Sequence, residues 1–89
     1  MVVQACDGEG ESIRVGFTAS RKVGNAVARN RARRRLKALA DELLPQRGLR
    51  ATDYVLIARQ ATVERDFDDL RRDLRSALDR LARKRSDET

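Results

Sequence analysis

Histidine and tryptophan are missing from this sequence of 89 residues, and cysteine and proline occur once each. Without histidine, the chain lacks the side chain that proteins use most often as a general base and as a metal ligand. The single cysteine, Cys6, excludes an intramolecular disulfide and a cysteine metal site, which fits a reducing compartment. We expect Cys6 to be a small buried hydrophobic residue.

Long apolar runs are also missing. No stretch approaches the roughly 20 apolar residues that span a bilayer, and residues 1–10 lack the basic and apolar regions of a signal peptide. The five glycines are too scattered to form a phosphate-binding loop. We therefore expect a soluble, cytoplasmic protein with no membrane partner and no small-molecule substrate.

The chain is short, and only three of its residues are aromatic: Phe17, Tyr54 and Phe67. A chain of this length buries only about 60–65% of the surface that its unfolded form exposes, so its core is thin. We expect a single domain over residues 1–85, followed by a disordered tail at residues 86–89.

Positive charge is concentrated in the middle of the chain. Residues 1–13 carry three acids and no base, and residues 51–89 carry nine residues of each sign. Residues 14–50 carry eleven Lys or Arg against two acids, a net charge of +9. Such an uneven distribution is typical of a protein that binds a polyanion.

The hydrophobic pattern predicts two strands near the N-terminus. Residues 2–5 are mostly apolar and are followed by turn residues at 7–10. Apolar and polar residues then alternate over residues 13–20, which is typical of a half-buried strand. The intervening turn favours a hairpin between the two strands.

The remaining pattern predicts helix, strand and helix. A first helix is expected from a cap at Asn25 to about Leu44, where Pro45 forbids continuation. The apolar run at residues 54–58 indicates a central strand covered on both faces. A loop at 60–65 and an amphipathic helix over about 66–83 complete the chain.

The order is strand, strand, helix, strand, helix. The strand–helix–strand segment between residues 13 and 59 predicts a parallel pair of strands, and the hairpin adds an antiparallel pair. This order predicts an α+β fold, in which a small mixed sheet packs against helices.

The first helix carries an unusual concentration of hydrogen-bond donors. Its apolar stripe runs from Ala28 to Leu43, and its other side is almost wholly cationic. Arginine predominates, and its planar group can bind two phosphate oxygens or stack on a base. No acid occurs between Gly24 and Asp41, whereas a solvated charged helix usually has both signs. The predicted nucleic-acid contacts on this helix are Arg29, Asn30, Arg31, Arg33, Arg34, Arg35 and Lys37.

A protein-borne active site is not indicated. The carboxylates of the last helix alternate with arginines, as on a solvated face. A nuclease that holds metal ions with this acidic helix is the alternative from another class. We expect no catalytic residue, no metal ligand and no bound cofactor in the chain.

Residues 14–44 resemble the protein subunit of bacterial ribonuclease P. That family has a strand, a short S-R-K turn and the motif A-V-x-R-N-R-x-R-R at the start of a helix. The matching residues here are Ser20, Arg21, Lys22, Gly24, Asn25, Ala26, Val27, Arg29, Asn30, Arg31, Arg33 and Arg34. Residues 53–59 and the last helix also fit the family pattern, so the resemblance covers most of residues 2–83.

The resemblance implies a left-handed crossover between the parallel strands. It also implies that an RNA subunit, using magnesium ions that belong to the RNA, removes the 5′ leader from precursor tRNA. The protein would be a non-catalytic subunit that binds both RNAs. The resemblance adds Arg21 and Lys22 to the RNA-binding residues and makes Phe17 the candidate leader contact. Family members usually have a further helix before the first strand, and this sequence begins at about that strand.

From the sequence, the main hypothesis is the protein component of ribonuclease P. The alternative is another small RNA-binding or ribosome-associated protein that uses the same basic helix.

Overall fold

A computed structural model describes residues 1–87 of the chain, with side chains as far as Lys84. The predicted order of elements is confirmed. The strands are β1 (Val2–Asp7), β2 (Arg14–Thr18) and β3 (Thr52–Ile57), and the helices are α1 (Ala26–Arg47) and α2 (Phe67–Asp87). Two short 3₁₀ turns follow β2 and β3: the first 3₁₀ turn is Arg21–Val23 and the second is Gln60–Val63, inside the segment predicted as a loop.

The three strands form one mixed sheet in the order β1–β3–β2. β1 pairs antiparallel with β3, with Ala5 opposite Tyr54, and β2 pairs parallel with β3, with Val15 opposite Tyr54. The α+β fold and the parallel β2–β3 pair are therefore confirmed. The hairpin predicted between β1 and β2 is wrong, because β3 lies between them. The most apolar strand takes the centre, where it bonds to both neighbours. The left-handed crossover stays a prediction from the resemblance.

Both helices lie on one face of the sheet. In β3, Thr52, Tyr54 and Leu56 are buried against them, whereas Val55 and Ile57 on the other face are only half-buried. The expectation that this strand is covered on both faces is therefore wrong. An unbroken apolar sequence does not distinguish a strand that is covered on both faces from a strand whose second face is only half-buried.

Cys6 lies on the open face of the sheet and is exposed, so its predicted burial is wrong. It is the register partner of Asp53 and lies on the side of β1 that faces away from the helices. Its Sγ is 3.7 Å from the carbonyl oxygen of Asp53. The mostly apolar sequence of β1 did not reveal which face this residue would occupy.

Helix α1 begins as predicted. The Asn25 side chain accepts a hydrogen bond from the backbone N–H of Ala28 at 2.9 Å. The preceding Gly24 has φ +148°, and a Cβ there would lie 2.9 Å from the Cβ of Ala28. A larger residue is therefore disfavoured by both conformation and contact. The predicted apolar stripe is buried from Ala32 onwards, including Leu36 and Leu39 at 0% exposure, and Ala28 is half-buried.

The predicted end of α1 at Leu44 is wrong, because the helix continues through Pro45 to Arg47. Proline removes its own N–H and disturbs the preceding turn, but it does not prevent the following residues from remaining helical. The N–H of Gly48 bonds the carbonyl oxygen of Leu44 at 2.8 Å, which closes the last turn beyond the proline.

Helix α2 is capped by Asp66, whose carboxylate accepts hydrogen bonds from the N–H groups of Asp68 and Asp69 at 3.0 and 3.2 Å. Leu70, Leu74 and Leu78 are buried. The helix extends to Asp87, beyond the predicted end near residue 83. The predicted tail at 86–89 thus overlaps the last two helical residues, and its residues 88 and 89 lie outside the described part. No helix within residues 1–87 is long and apolar enough to cross a membrane.

Candidate nucleic-acid interface

The outer side of α1 is cationic, as predicted from its sequence. The buried stripe holds this helix against the sheet, so its opposite side faces solvent. The exposed residues of the predicted set on this side are Asn30, Arg31, Arg33, Arg34 and Lys37, whereas Arg29 and Arg35 are half-buried. The structure therefore places all seven predicted residues on one surface or at its margin, which we call the α1 cationic face.

Two arginines of this face are bonded to the protein backbone. The Nε of Arg31 donates to the carbonyl oxygen of Val63 at 3.0 Å. The Arg35 guanidinium donates to the same oxygen at 2.9 Å and also to the carbonyl oxygens of Thr62 and Arg65. These carbonyls lie at the end of the second 3₁₀ turn, where backbone acceptors lack partners of their own. Arg31 and Arg35 thus tie α1 to the segment that precedes α2.

Phe67, the first residue of α2, extends this link. Its ring lies beneath two guanidinium groups: the Cζ of Arg35 is 5.7 Å from the ring centroid and that of Arg71 is 5.3 Å. These distances are typical of cation–π contacts. A shallow cavity of about 270 Å³ beside the ring is lined by Arg31, Arg34, Arg35, Ala38 and Phe67.

The other cationic groups are less constrained. Within the described residues, Arg34 makes no hydrogen bond or ion pair, and the Arg33 guanidinium donates only to the side chain of Asn30, at 3.1 Å. Lys37 pairs with Asp41 at 2.9 Å, but both side chains are about two-thirds exposed, and such pairs are weak. Arg29 donates to the Gly24 carbonyl oxygen at 3.2 Å. Arg33 and Arg34 are therefore the groups most available to an external anion.

Arg21 and Lys22 lie apart from α1, in the first 3₁₀ turn, and both are exposed. This turn follows β2, and the second 3₁₀ turn follows the parallel strand β3, so the two turns come together at the same end of the sheet. A cavity of about 270 Å³ between them is lined by Ser20, Lys22, Val23, Ile57, Ala58, Arg59 and Gln60. We call this region the strand-end patch.

Arg59 and Gln60 were not among the predicted site residues. The signal that could have identified them is topological. If β2 and β3 are parallel and adjacent, the residues that follow each strand must lie at one edge of the sheet. The parallel pair is confirmed, and it places the residues that follow β2 beside those that follow β3.

Phe17, the candidate leader contact, faces the helices. It is half-buried, packs against the hydrophobic core and lies opposite Leu56 in the sheet. Packing alone accounts for an aromatic residue at this position. A contact between Phe17 and an RNA leader stays a prediction.

Six carboxylates of the described residues are paired with arginines. Arg14 makes a two-pronged bond to Asp53 at 2.8 and 2.7 Å, and this bond holds the pKa of the Asp53 carboxyl below its usual range. Two aspartates of α2 are paired in the same way: Asp73 with Arg65, which precedes the helix, and Asp69 with Arg72, both at 2.8 Å. Among the described residues, no three His, Cys, Asp or Glu are grouped so that they could hold a metal ion.

The chain matches known proteins over most of its length. The model of the ribonuclease P family matches residues 1–82. The chain is 58% identical over 85 residues to the ribonuclease P protein component of Ruegeria pomeroyi, covering 91% of this chain and 68% of that protein. This chain belongs to the ribonuclease P protein family. The corresponding protein of Erythrobacter litoralis is 45% identical over 86 residues, covering 97% and 71% of the two chains.

Solved structures are similar as well. The RNase P protein of Staphylococcus aureus superposes with a TM-score of 0.70 at 29% identity, covering 86% of this chain and 70% of that one. The protein from Thermotoga maritima gives a TM-score of 0.76 at 24% identity, covering 88% and 74%, and supports the fold.

The family expected from the motif in residues 14–44 is therefore confirmed. The chain is related to the protein component of an endoribonuclease that processes RNA. Nothing in the comparisons favours the alternative of a different RNA-binding or ribosome-associated protein.

Proposed function

We propose that this protein binds the RNA subunit of ribonuclease P through the α1 cationic face and assists magnesium-dependent removal of the 5′ leader from precursor tRNA. The observation that carries the proposal is the exposure of Arg33 and Arg34, which have no carboxylate partner among the described residues. Each can neutralise an RNA phosphate without first breaking an internal ion pair.

The chemistry belongs to the RNA in this proposal. The chain has no histidine to act as a general base. The four α2 aspartates with described side chains are each paired with an arginine, such as Asp69 with Arg72, instead of converging on a cleft. The protein therefore acts by holding RNA strands together, which reduces the concentration of magnesium ions needed to screen their phosphates.

Arg31 and Arg35 support this function indirectly. Their bonds to the backbone at Val63 fix α1 against the second 3₁₀ turn. The α1 cationic face is then presented in one orientation relative to the strand-end patch. Fixed cations bind a folded polyanion better than mobile ones, because less conformational entropy is lost on binding.

The strand-end patch supplies a second cationic contact. Arg21, Lys22 and Arg59 are exposed there, beside the start of α1. We assign this patch to RNA that extends beyond the α1 cationic face, with the 5′ leader of the precursor as the preferred occupant. Phe17 lies in β2, the strand that leads to the first 3₁₀ turn, and packs against the hydrophobic core.

The test is cleavage of precursor tRNA by a bacterial ribonuclease P RNA at low magnesium concentration, with and without the protein. The wild-type protein should lower the magnesium concentration required for half-maximal cleavage. The double variant R33A/R34A should lose most of this effect, because it removes two phosphate-binding groups and should flatten the salt dependence of binding by about 1.5 in log–log slope.

The matched control is R72A/R80A, which removes two exposed arginines from α2 and should retain nearly full effect. Equal losses from both double variants would mean diffuse charge attraction and contradict the proposed interface. Cleavage by the protein without the RNA subunit, retained after nuclease treatment to remove RNA, would contradict the non-catalytic role.

A further inference from the structure

Val27 is an apolar residue on the surface of this protein. It is the only large hydrophobic side chain that is exposed in residues 1–84, and it is 74% exposed. It lies in the first turn of α1, where valine is a poorer helix former than alanine. Neither packing nor helix propensity therefore explains a valine at this position.

The position of Val27 is closely defined by its surroundings. Asn25 caps the helix through the N–H of Ala28, and Arg29 donates to the carbonyl oxygen of Gly24. The backbone on both sides of Val27 is thus bonded. Its β-branched side chain has little rotational freedom in a helix. The two methyl groups therefore form a stiff apolar projection.

The surface around this projection is cationic. Residues three, four and seven positions after Val27 share its side of the helix, and these are Asn30, Arg31 and Arg34. No acid occurs in the first turn of α1. A partner that covers Val27 must also accept these donors, which disfavours an ordinary apolar protein surface and favours a polyanion that has apolar faces.

We propose that Val27 packs against an unstacked base or ribose of the ribonuclease P RNA subunit, while Asn30 and Arg34 contact the adjacent backbone. This inference rests on the proposed function. Unpaired RNA exposes flat apolar base faces between its phosphates, which is the combination of surfaces that this turn of α1 matches. Val27 thus contributes a contact that depends on RNA shape instead of charge.

The test compares three variants of the whole chain by equilibrium binding to the RNA subunit over a range of salt concentrations. V27A removes two methyl groups and should weaken binding about tenfold with the slope of log affinity against log salt unchanged. R34A should also weaken binding, but it should flatten that slope by about 0.8. Q46A, which shortens an exposed side chain near the other end of α1, should leave both quantities unchanged.

Folding is controlled by thermal unfolding of each variant. V27A should melt at the wild-type temperature or slightly higher, because alanine favours the helix. Wild-type affinity in V27A would overturn the inference alone, leaving the proposed function intact. The inference would also be overturned if V27A lost affinity only for precursor tRNA and not for the RNA subunit. A flattened slope of log affinity against log salt in V27A would overturn it as well. Failure of the wild-type protein to bind the RNA subunit would overturn the proposed function as well.

Discussion

The arginines of α1 differ in what their guanidinium groups contact. Arg35 spans several backbone carbonyls and the Phe67 ring, whereas Arg34, one residue earlier, has no hydrogen bond or ion pair within the described residues. A half-buried arginine with several acceptors contributes to folding, because its removal leaves backbone groups without partners. An exposed arginine without an acceptor contributes almost nothing to folding and is available to RNA. Adjacent residues of the same type thus differ in what they contribute to folding.

This difference predicts that two alanine substitutions change the stability of the protein by different amounts. R35A should lower the free energy of unfolding by about 2 kcal/mol, since it removes charge-assisted bonds to the second 3₁₀ turn. R34A should change it by less than about 0.5 kcal/mol, as is usual for an exposed site. Urea unfolding followed by circular dichroism measures both.

R35K provides a control for charge in the same experiment. Lysine retains the positive charge but cannot bond several carbonyls through a planar fork. It should therefore recover only part of the lost stability. If R34A and R35A unfold alike, the link between α1 and the second 3₁₀ turn does not stabilise the protein.

At the scale of elements, the start of α1 determines where the cationic residues lie. Gly24 and Asn25 fix the conformation of the first helical turn. The direction in which each later side chain of the helix points follows from that turn. Failure of the cap would let the first turn fray, and Val27 and Arg29 would then lose their fixed positions.

Substitution of the cap separates folding from RNA binding. N25A should lower the free energy of unfolding by about 1 kcal/mol, because an orphan backbone N–H loses its acceptor. N25D should retain the wild-type stability, since aspartate also caps and is favoured by the helix dipole. Its negative charge should nevertheless weaken RNA binding at low salt. Calorimetry and a binding titration would measure the two effects, and equal stability of N25A and wild type would contradict a structural role for this cap.

The elements were predictable from the sequence wherever periodicity is strong. The stripe from Ala32 to Leu43 and the alternation in β2 correctly predicted which sides are buried. The order of strands was not predictable from the local pattern. The turn after β1 is compatible with a hairpin, and it is equally compatible with a connection that leaves room for β3 between β1 and β2. The end of α1 lies beyond its predicted position because Pro45 is close enough to the C-terminus of the helix to be tolerated.

The cationic site was predictable as a surface but not as a set of contacts. Helical spacing correctly placed Asn30 and Arg34 on the outer side of α1. The same spacing also placed Arg31 there, but it did not indicate the bond from this side chain to the carbonyl oxygen of Val63. That bond depends on where the second 3₁₀ turn packs, which no local sequence pattern specifies.

At the scale of the whole molecule, the sheet has one face covered by helices and one open face crossed by an ion pair. Arg14 of β2 and Asp53 of β3 are register partners, and their side chains join the only parallel pair of strands in the described chain. This bond lowers the pKa of Asp53 and raises that of Arg14. It is exposed, so its effect is best detected through pH dependence.

Acid should weaken this contact in a defined direction. Folding lowers the pKa of the Asp53 carboxyl below its value in the unfolded chain, about 3.8. The carboxyl therefore stabilises the protein at pH values above 3.8, and this stability is lost as the pH falls through the lowered pKa. Unfolding measured from about pH 5 to about pH 2.5 should therefore show a smaller acid-induced loss in D53N than in the wild type. D41N, which alters an exposed pair on α1, is the control. Identical acid profiles for D53N and wild type would exclude a contribution from this pair.

The strand order also affects the sequence of events during protein synthesis. β1 and β2 do not bond to each other, and each requires β3, which is the last of the three to leave the ribosome. Until residues 52–57 emerge, the nascent chain has no sheet on which to fold. For that interval α1 is an unsupported helix whose like charges repel. A polyanion that bound this segment would offset the repulsion before the core of the protein has formed.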